Sequence, residues 1–437
     1  MSKSKTVKIL GITLASLIVA SSIVGSAARP VSAKAAAKLS GSITEASWND
    51  AATAMKAEAT AFMKQNPGTK VTILSVDSSY TKLYSELAAG VNVPDVVQTQ
   101  NRDFQSFYNK YPKAWLDVTS LVKPEEKNFD PVVLPLVKVK ASNKYYAVPW
   151  DVGPCALFYR KDVFKQDGIN VANIKTWDDY INAGKIISKK SSGKMKVMGV
   201  DYSASSSQDV INVLYNEFGG QYYDNKGKVR LNNPTMVKTL NLLKKMVAGG
   251  MTMNLASEWN DRITAIESNQ LVSFPFAVWY TGTMKTACSD QSGKWGLVPL
   301  PAYTKGGPNQ ANDGGSILAI SSATKNAELA KAFVKFALMT NKGNEINLTA
   351  GGLFTSYKPS YKVSAYSKTD SYFSGLSIGK FFSALSPKIP AIYYGPYFTD
   401  VNNALITAYG KVFSKNANPS DALNSATATA QKALDNK

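Results

Sequence analysis

ITEASWNDAATAMKAEATAFMKQNPGTKVTIL (residues 43–74) contains the unit from which the fold follows. Ile43 to Trp48 reads as a strand, and Asn49 or Asp50 then caps a helix whose Met55, Ala59, Phe62 and Met63 recur at i, i+4, i+7 and i+8. Asn66-Pro67-Gly68 ends that helix, and Val71 and Ile73 start the next strand. Leu83 and Leu87 lie one helical turn apart before Gly90, and Pro94-Asp95-Val96-Val97 opens a third strand. This alternation predicts an α/β fold with a parallel sheet and ligand space outside the carboxyl ends of its strands.

The same alternation continues along the chain. Thr176 followed by Asp179 is a capping-box variant that opens the helix TWDDYINAGKII, and YDNKGKVRL (residues 223–231) reads as strand, turn, strand. Leu240, Leu243 and Val247 mark a helix that Gly249-Gly250 ends. Leu329, Ala332, Phe333, Phe336 and Ala337 form a buried helix face after the strand SILAIS, and a helix-rich stretch runs from Asp400 to the C-terminus. No repeat or low-complexity linker intervenes, which points to two domains joined by several crossings.

Residues 1–33 read as an export signal. Lys3, Lys5 and Lys8 precede an uncharged run from Ile9 to Ala28, and Val31-Ser32-Ala33 gives a small-x-small cleavage pattern. The mature chain is then expected to begin at Lys34 and to be secreted and extracytoplasmic; uncleaved, the same run would act as a membrane anchor. The formal net charge is +19, and loss of Lys3, Lys5, Lys8 and Arg29 lowers it to about +15. Nucleic acid fits poorly, because the lysines are spread along the chain and no nucleic-acid-binding motif occurs. Anionic polymers of a Gram-positive cell wall fit better, alongside the simpler reading of a soluble basic surface.

The chain has no histidine and only two cysteines, Cys155 and Cys288. Imidazole metal ligands and Ser–His or Cys–His catalytic pairs are therefore excluded, and no disulfide framework or Cys-type zinc site can form. No phosphate-loop or calcium-loop pattern occurs, so no metal, cofactor or catalytic residue is assigned. Tryptophans instead stand next to carboxylates and amides, in YYAVPWDVGP (residues 145–154) and FAVWYTG (residues 276–282). Flat aromatic faces cover the C–H surfaces of a sugar while acids and amides take its hydroxyl protons, so the expectation is a carbohydrate binder and not an enzyme.

Four runs then carry a family resemblance: KYYAVPWDVGPCALFYRKDVF (residues 144–164), LAAGVNVPDVVQ (87–98), KWGLVPLPAY (294–303) and GGSILAISSATKNAELAKAFVKFAL (314–338). In this order they resemble the family-1 bacterial extracellular solute-binding proteins, the sugar receptors of ABC importers, of which maltose-binding protein is the familiar member. The resemblance implies a two-lobe periplasmic-binding-protein-like (type II) fold, with a five-stranded sheet in each lobe and a hinge between them. It also implies a mono- or oligosaccharide ligand, the ABC permease transmembrane subunits as partners, and a monomer. Residues 34–152 plus 315–355 would form one lobe and 153–314 plus 356–437 the other. The family's lipid-bearing cysteine after the signal is missing, because the first cysteine is Cys155; the chain does not read as a lipoprotein.

The candidate ligand-binding residues each have a structural alternative. Trp150-Asp151 pairs a stacking indole with a hydroxyl acceptor, or a core tryptophan with a turn aspartate. Trp279-Tyr280 follows VSFPFAV at a strand exit, where the resemblance implies a sugar platform. Trp48, Asn49 and Asp50 end the first strand at the cleft mouth, unless Asn49 or Asp50 only caps the helix. Gln98, Gln100 and Asn101 follow the third strand, in a loop that is otherwise merely solvated. Trp259 with Glu258 and Asp261, the run Asp313-Gly314-Gly315, and Tyr394 with Tyr397 complete the set. A secreted glycoside hydrolase remains the alternative from another class, since two carboxylates suffice for it, and a receptor for a non-sugar solute is the alternative within the binding class.

Overall fold

The computed structural model describes residues 38–203 and 209–436. The export signal assigned to residues 1–33 lies outside the described residues. Within them, the opening unit folds as its pattern predicts. β1 (Gly41–Ser47) and β2 (Thr69–Ser75) run parallel with Ile43 opposite Val71, and β3 (Val96–Gln100) pairs parallel with the other edge of β1. The intervening helix, Asn49–Gln65, buries Met55, Ala59 and Phe62 against this sheet. Removing Met55 and Phe62 from water contributes about 1.5–3 kcal/mol each, and the smaller Ala59 lets the helix sit close, which fixes the helix face.

Two further strands, β12 (Ser316–Ile320) and β6 (Ala147–Pro149), complete the first sheet in the order β2-β1-β3-β12-β6. β12 is antiparallel to both β3 and β6. The sheet is therefore mixed and not wholly parallel, since β12, over 200 residues beyond β3 in sequence, enters it in the opposite direction. β4 (Lys138–Val139) and β5 (Lys144–Tyr145) form a small antiparallel hairpin ahead of β6.

The second sheet is built around β7 (Cys155–Arg160), flanked antiparallel by β10 (Ser273–Ala277) and β11 (Trp295–Val298). A parallel pair, β8 (Met198–Val200) with β9 (Thr252–Asn254), joins it through a single bridge between Lys196 and Leu271. Three strands plus two thus stand where one five-stranded sheet is expected. Pro275 lies in β10, which is at the edge of its ladder, where a missing N–H is tolerated. Trp115, Trp177 and Trp295 are all buried.

Helix ends follow local chemistry where the capping residues are present. Thr176 and Asp179 make the reciprocal capping box that opens Trp177–Lys190, and Asn233 caps Pro234–Ala248. The start of Asn49–Gln65 departs from expectation. Trp48 occupies the capping position without a side-chain bond, and Asn49 is held at φ +49°. Neither Asn49 nor Asp50 caps this helix through its side chain.

Three chain segments run side by side between the sheets. Val152 N–H donates to Phe354 O at 3.0 Å, Ser356 N–H to Trp150 O at 2.9 Å, and Asp313 N–H to Gly153 O at 2.9 Å. Gly153 is obligatory here, because a Cβ would stand 1.9 Å from the Asp313 carbonyl oxygen. Among the described residues no helix is long and apolar enough to cross a membrane.

Candidate functional site

Where these crossings meet the carboxyl ends of β1, β3 and β10, the chain encloses a cleft of about 570 Å3. That falls within the range of small-molecule sites.

One wall comes from the first sheet. Trp48, Asn49 and Asp50 line the cleft at the end of β1, and Gln98 and Gln100 line it at the end of β3. Gln98 is buried and committed to the protein: its carbonyl accepts Trp48 N–H at 3.0 Å and its amide donates to Ser316 Oγ at 2.8 Å. Gln100 differs, since its side-chain oxygen is buried without a partner. Asp50 accepts a hydrogen bond from Thr283 Oγ1 at 2.9 Å, reaching from the wall of the first sheet to the helix that follows β10. Asn101 does not line the cleft; it is buried beneath Gly315 with both amide atoms unpartnered.

The other wall is aromatic. The rings of Trp259 and Trp279 lie 6.0 Å apart and nearly parallel, at 14°, and both line the cleft. Trp279 Nε1 donates to Asp313 O at 3.0 Å, which fixes the indole against the crossing segment. Ser257 caps the helix Glu258–Glu267 and places Glu258 and Trp259 in its first turn, facing the cleft. Asp261 lies outside the cleft and accepts Ser257 N–H at 2.8 Å, so its role is local.

Each strand-exit pair divides its work. Asp151 lines the cleft while Trp150 is wholly buried in the first sheet's core. Trp279 lines the cleft while Tyr280 is wholly buried, 4.9 Å from the Phe276 ring and beside the Arg262 guanidinium. Asp313, Gly314 and Gly315 line the cleft. Tyr394 packs on Tyr222 and Phe398, and Tyr394 and Tyr397 are both absent from the cleft lining.

Tyr80, Arg102, Asp103, Asp209 and Ser316 also line the cleft, and the sequence reading did not select them. Arg102 and Asp103 directly follow Asn101 in the same loop, so extending that loop by two residues would have found them. Tyr80 had no comparable signal. It is held at φ +61° and edge-on to Trp48 at 5.5 Å, and its hydroxyl accepts Gln100 N–H at 2.8 Å.

Burial dominates the electrostatics. It raises the Asp151 carboxyl to about 7, although Ser316 N–H donates to it at 2.7 Å. Burial, reinforced by Asp209 and opposed by Arg102, pushes Asp313 well above the usual carboxylate range. Asp50 is raised by burial and eased back by Thr283 and Lys285. The cleft therefore offers carboxyls that can donate as well as accept near neutral pH, beside two half-buried indoles. Among the described residues no group of three or more metal-ligating side chains occurs, and Cys155 and Cys288 are buried and free.

Two α/β lobes with a cleft at their crossings define a maltose-binding-protein-like, type II periplasmic-binding-protein fold. Residues 45–340 match the model of the bacterial extracellular solute-binding proteins, and the chain belongs to that family. It is 30% identical over 290 residues to an arabinooligosaccharide-binding protein of Bacillus subtilis, covering 64% of this chain and 65% of the relative. A second such protein, from Halalkalibacterium halodurans, is 24% identical and covered over 60% of its length, so the chain matches just under two thirds of each. A lactose-binding protein of Rhizobium radiobacter is 26% identical, with 80% of this chain and 83% of the relative covered. The structure of an ABC-transporter-associated binding protein from B. animalis subsp. lactis, in complex with beta-1,6-galactobiose, superposes with a TM-score of 0.77 at 22% identity. That match covers 91% of this chain and 97% of the other.

Proposed function

We propose that this chain is the extracytoplasmic receptor of an ABC importer, binding a mono- or oligosaccharide in the cleft and delivering it to the permease subunits. The observation that carries this reading is the Trp259–Trp279 platform facing Asp50, Gln100 and Arg102 across one cavity. The indole faces would cover a sugar's C–H surface, and the opposite wall would take its hydroxyls. The names of the sugar-binding relatives support the same ligand class.

In this reading residues 34–152 plus 315–355 form one lobe and 153–314 plus 356–437 the other, hinged at the three crossings. A ligand touching both walls favours the closed state by its differential affinity, which is the signal a permease can read. The chain acts as a monomer, without catalysis, outside the cytoplasm, with residues 1–33 removed on export.

X-ray scattering with and without arabino-, galacto-, malto-, xylo- and fructo-oligosaccharides tests this. Compaction with one class is the expected result. Lack of response to every neutral sugar would overturn the ligand assignment, and release of shorter products would make the protein a glycoside hydrolase.

A further inference from the structure

The surplus of positive charge is not uniform. Residues 185–196, KIISKKSSGKMK, hold five lysines and no acid, the densest basic run in the chain. They form the end of helix Trp177–Lys190 and the turn leading to β8. The turn is fixed against the end of helix Pro234–Ala248: Lys196 Nζ donates to Gly250 O at 2.6 Å and to Ser188 Oγ at 2.9 Å, and the Lys185 stem lies over Gly249. Lys185, Lys189, Lys190 and Lys194 are exposed around this point, with Lys245 beside them.

Acids answer few of these charges. Lys245 pairs with Asp178 at 2.6 Å and Lys190 stands 3.9 Å from Asp167. Lys185, Lys189 and Lys194 have no acidic partner within 4 Å among the described residues. A helix C-terminus favours cations in its last turn, which accounts for Lys189 and Lys190. It does not account for Lys185, a turn earlier, or for Lys194 beyond the helix end.

We propose that this cluster is a docking surface for an extended polyanion, a phosphodiester or polyphosphate chain of the extracellular matrix. Such a chain carries closely spaced charge and condensed counterions, and a cluster of exposed lysines gains by releasing them. An anionic membrane is the weaker fit. Insertion at a bilayer surface needs an apolar face, and Ile186 is the one large apolar side chain exposed in this region. The surface is separate from the sugar cleft, whose lining contains none of these lysines.

The test uses the full mature chain, long-chain inorganic polyphosphate as probe, and orthophosphate and phosphatidylglycerol vesicles as comparators. Lys185→Ser/Lys189→Ser/Lys194→Ser is compared with a control triple of exposed lysines elsewhere, Lys56→Ser/Lys368→Ser/Lys380→Ser. The expected result is polyphosphate binding that the cluster triple weakens about tenfold, with a shallower salt dependence, while the control triple stays near wild type. Equal loss in both triples would show that diffuse net charge is responsible and would overturn the proposal. Stronger binding to vesicles than to polyphosphate, or binding to orthophosphate alone, would overturn it as well. Circular dichroism melting confirms that both triples are folded.

Discussion

The two walls of the cleft are built by opposite means. The wall from the second sheet is a pair of indoles, Trp259 and Trp279, held by packing and by one hydrogen bond to Asp313 O. The wall from the first sheet gathers Asp50 from the first turn of the helix after β1, Gln100 from the last position of β3, and Arg102 and Asp103 from the turn that follows it. Stacking tolerates many flat ligands, whereas a placed hydrogen-bonding group left without its partner costs about 1–3 kcal/mol. Affinity should therefore reside mainly in the aromatic wall and discrimination among sugars in the polar one. The exits of the strands repeat this contrast in miniature: at residues 150–151 the acid faces the cleft and the aromatic faces the core, and at 279–280 the first aromatic faces the cleft and the second the core.

The sharpest way to break this comparison is to truncate both tryptophans of the exit pairs. Trp150→Ala should lower stability by about 3–5 kcal/mol in denaturant unfolding, because it empties a fully buried site. The direction of the midpoint shift decides the matter, and an unchanged midpoint would place Trp150 outside the core.

A smaller effect should come from Asp151, whose carboxyl lies at about 7 in the fold against an ordinary 3.8. Between these values the folded chain keeps a proton that the unfolded chain has lost. Stability attributable to this group therefore falls as pH rises from about 4 to 7 and is level above that. Asp151→Asn, which preserves an acceptor for Ser316 N–H, should remove that part of the slope and raise stability at pH 8 by roughly 2–4 kcal/mol relative to wild type. Thermal melts at pH 5 and pH 8 check it; an equal shift at both would refute the burial account.

Trp279→Ala should leave the fold intact and weaken sugar binding by about 1–2 kcal/mol, roughly five- to thirtyfold, through loss of a stacking face. Least of all should come from Tyr280→Phe. Its hydroxyl is buried away from the cleft, with the Arg262 guanidinium as its polar neighbour, so its removal should change stability by about 1 kcal/mol and leave affinity unchanged. A large loss of affinity in this variant would move Tyr280 from the core to the site.

Much of the architecture was legible because periodicity reports burial. The face of Met55, Ala59 and Phe62, the capping box at Thr176 and the end of Pro234–Ala248 at its glycine pair are local signals, and the structure keeps them. What failed was mostly non-local. The antiparallel arrival of β12 and the split second sheet depend on segments far apart in the chain, whereas the missing cap is local, because Trp48 and not Asn49 takes the capping position. At the site, aromatic–acid neighbours pointed to two exits that line the cleft but could not say which of two adjacent residues faces in, since both pairs lie past their strand ends, after Pro149 and Ala277, where the turn of the chain and not strand alternation sets each side chain's direction. Trp150, Tyr280, Asn101, Asp261, Tyr394 and Tyr397 lie off the cleft lining for that reason or because they pack locally. Arg102 and Asp103 were within two residues of a selected loop, and Tyr80 became visible only once its strained backbone and its contact with Trp48 were seen.

The central claim, a sugar held between an aromatic and a polar wall, is tested most directly by titration calorimetry of the neutral oligosaccharide series against wild type, Trp259→Ala/Trp279→Ala and Gln100→Ala. The account predicts that one series binds wild type, that the double indole variant loses affinity for every member, and that Gln100→Ala changes the ranking among members more than the overall strength. Unchanged binding in the double variant, or no binding of any neutral sugar to wild type, would contradict it.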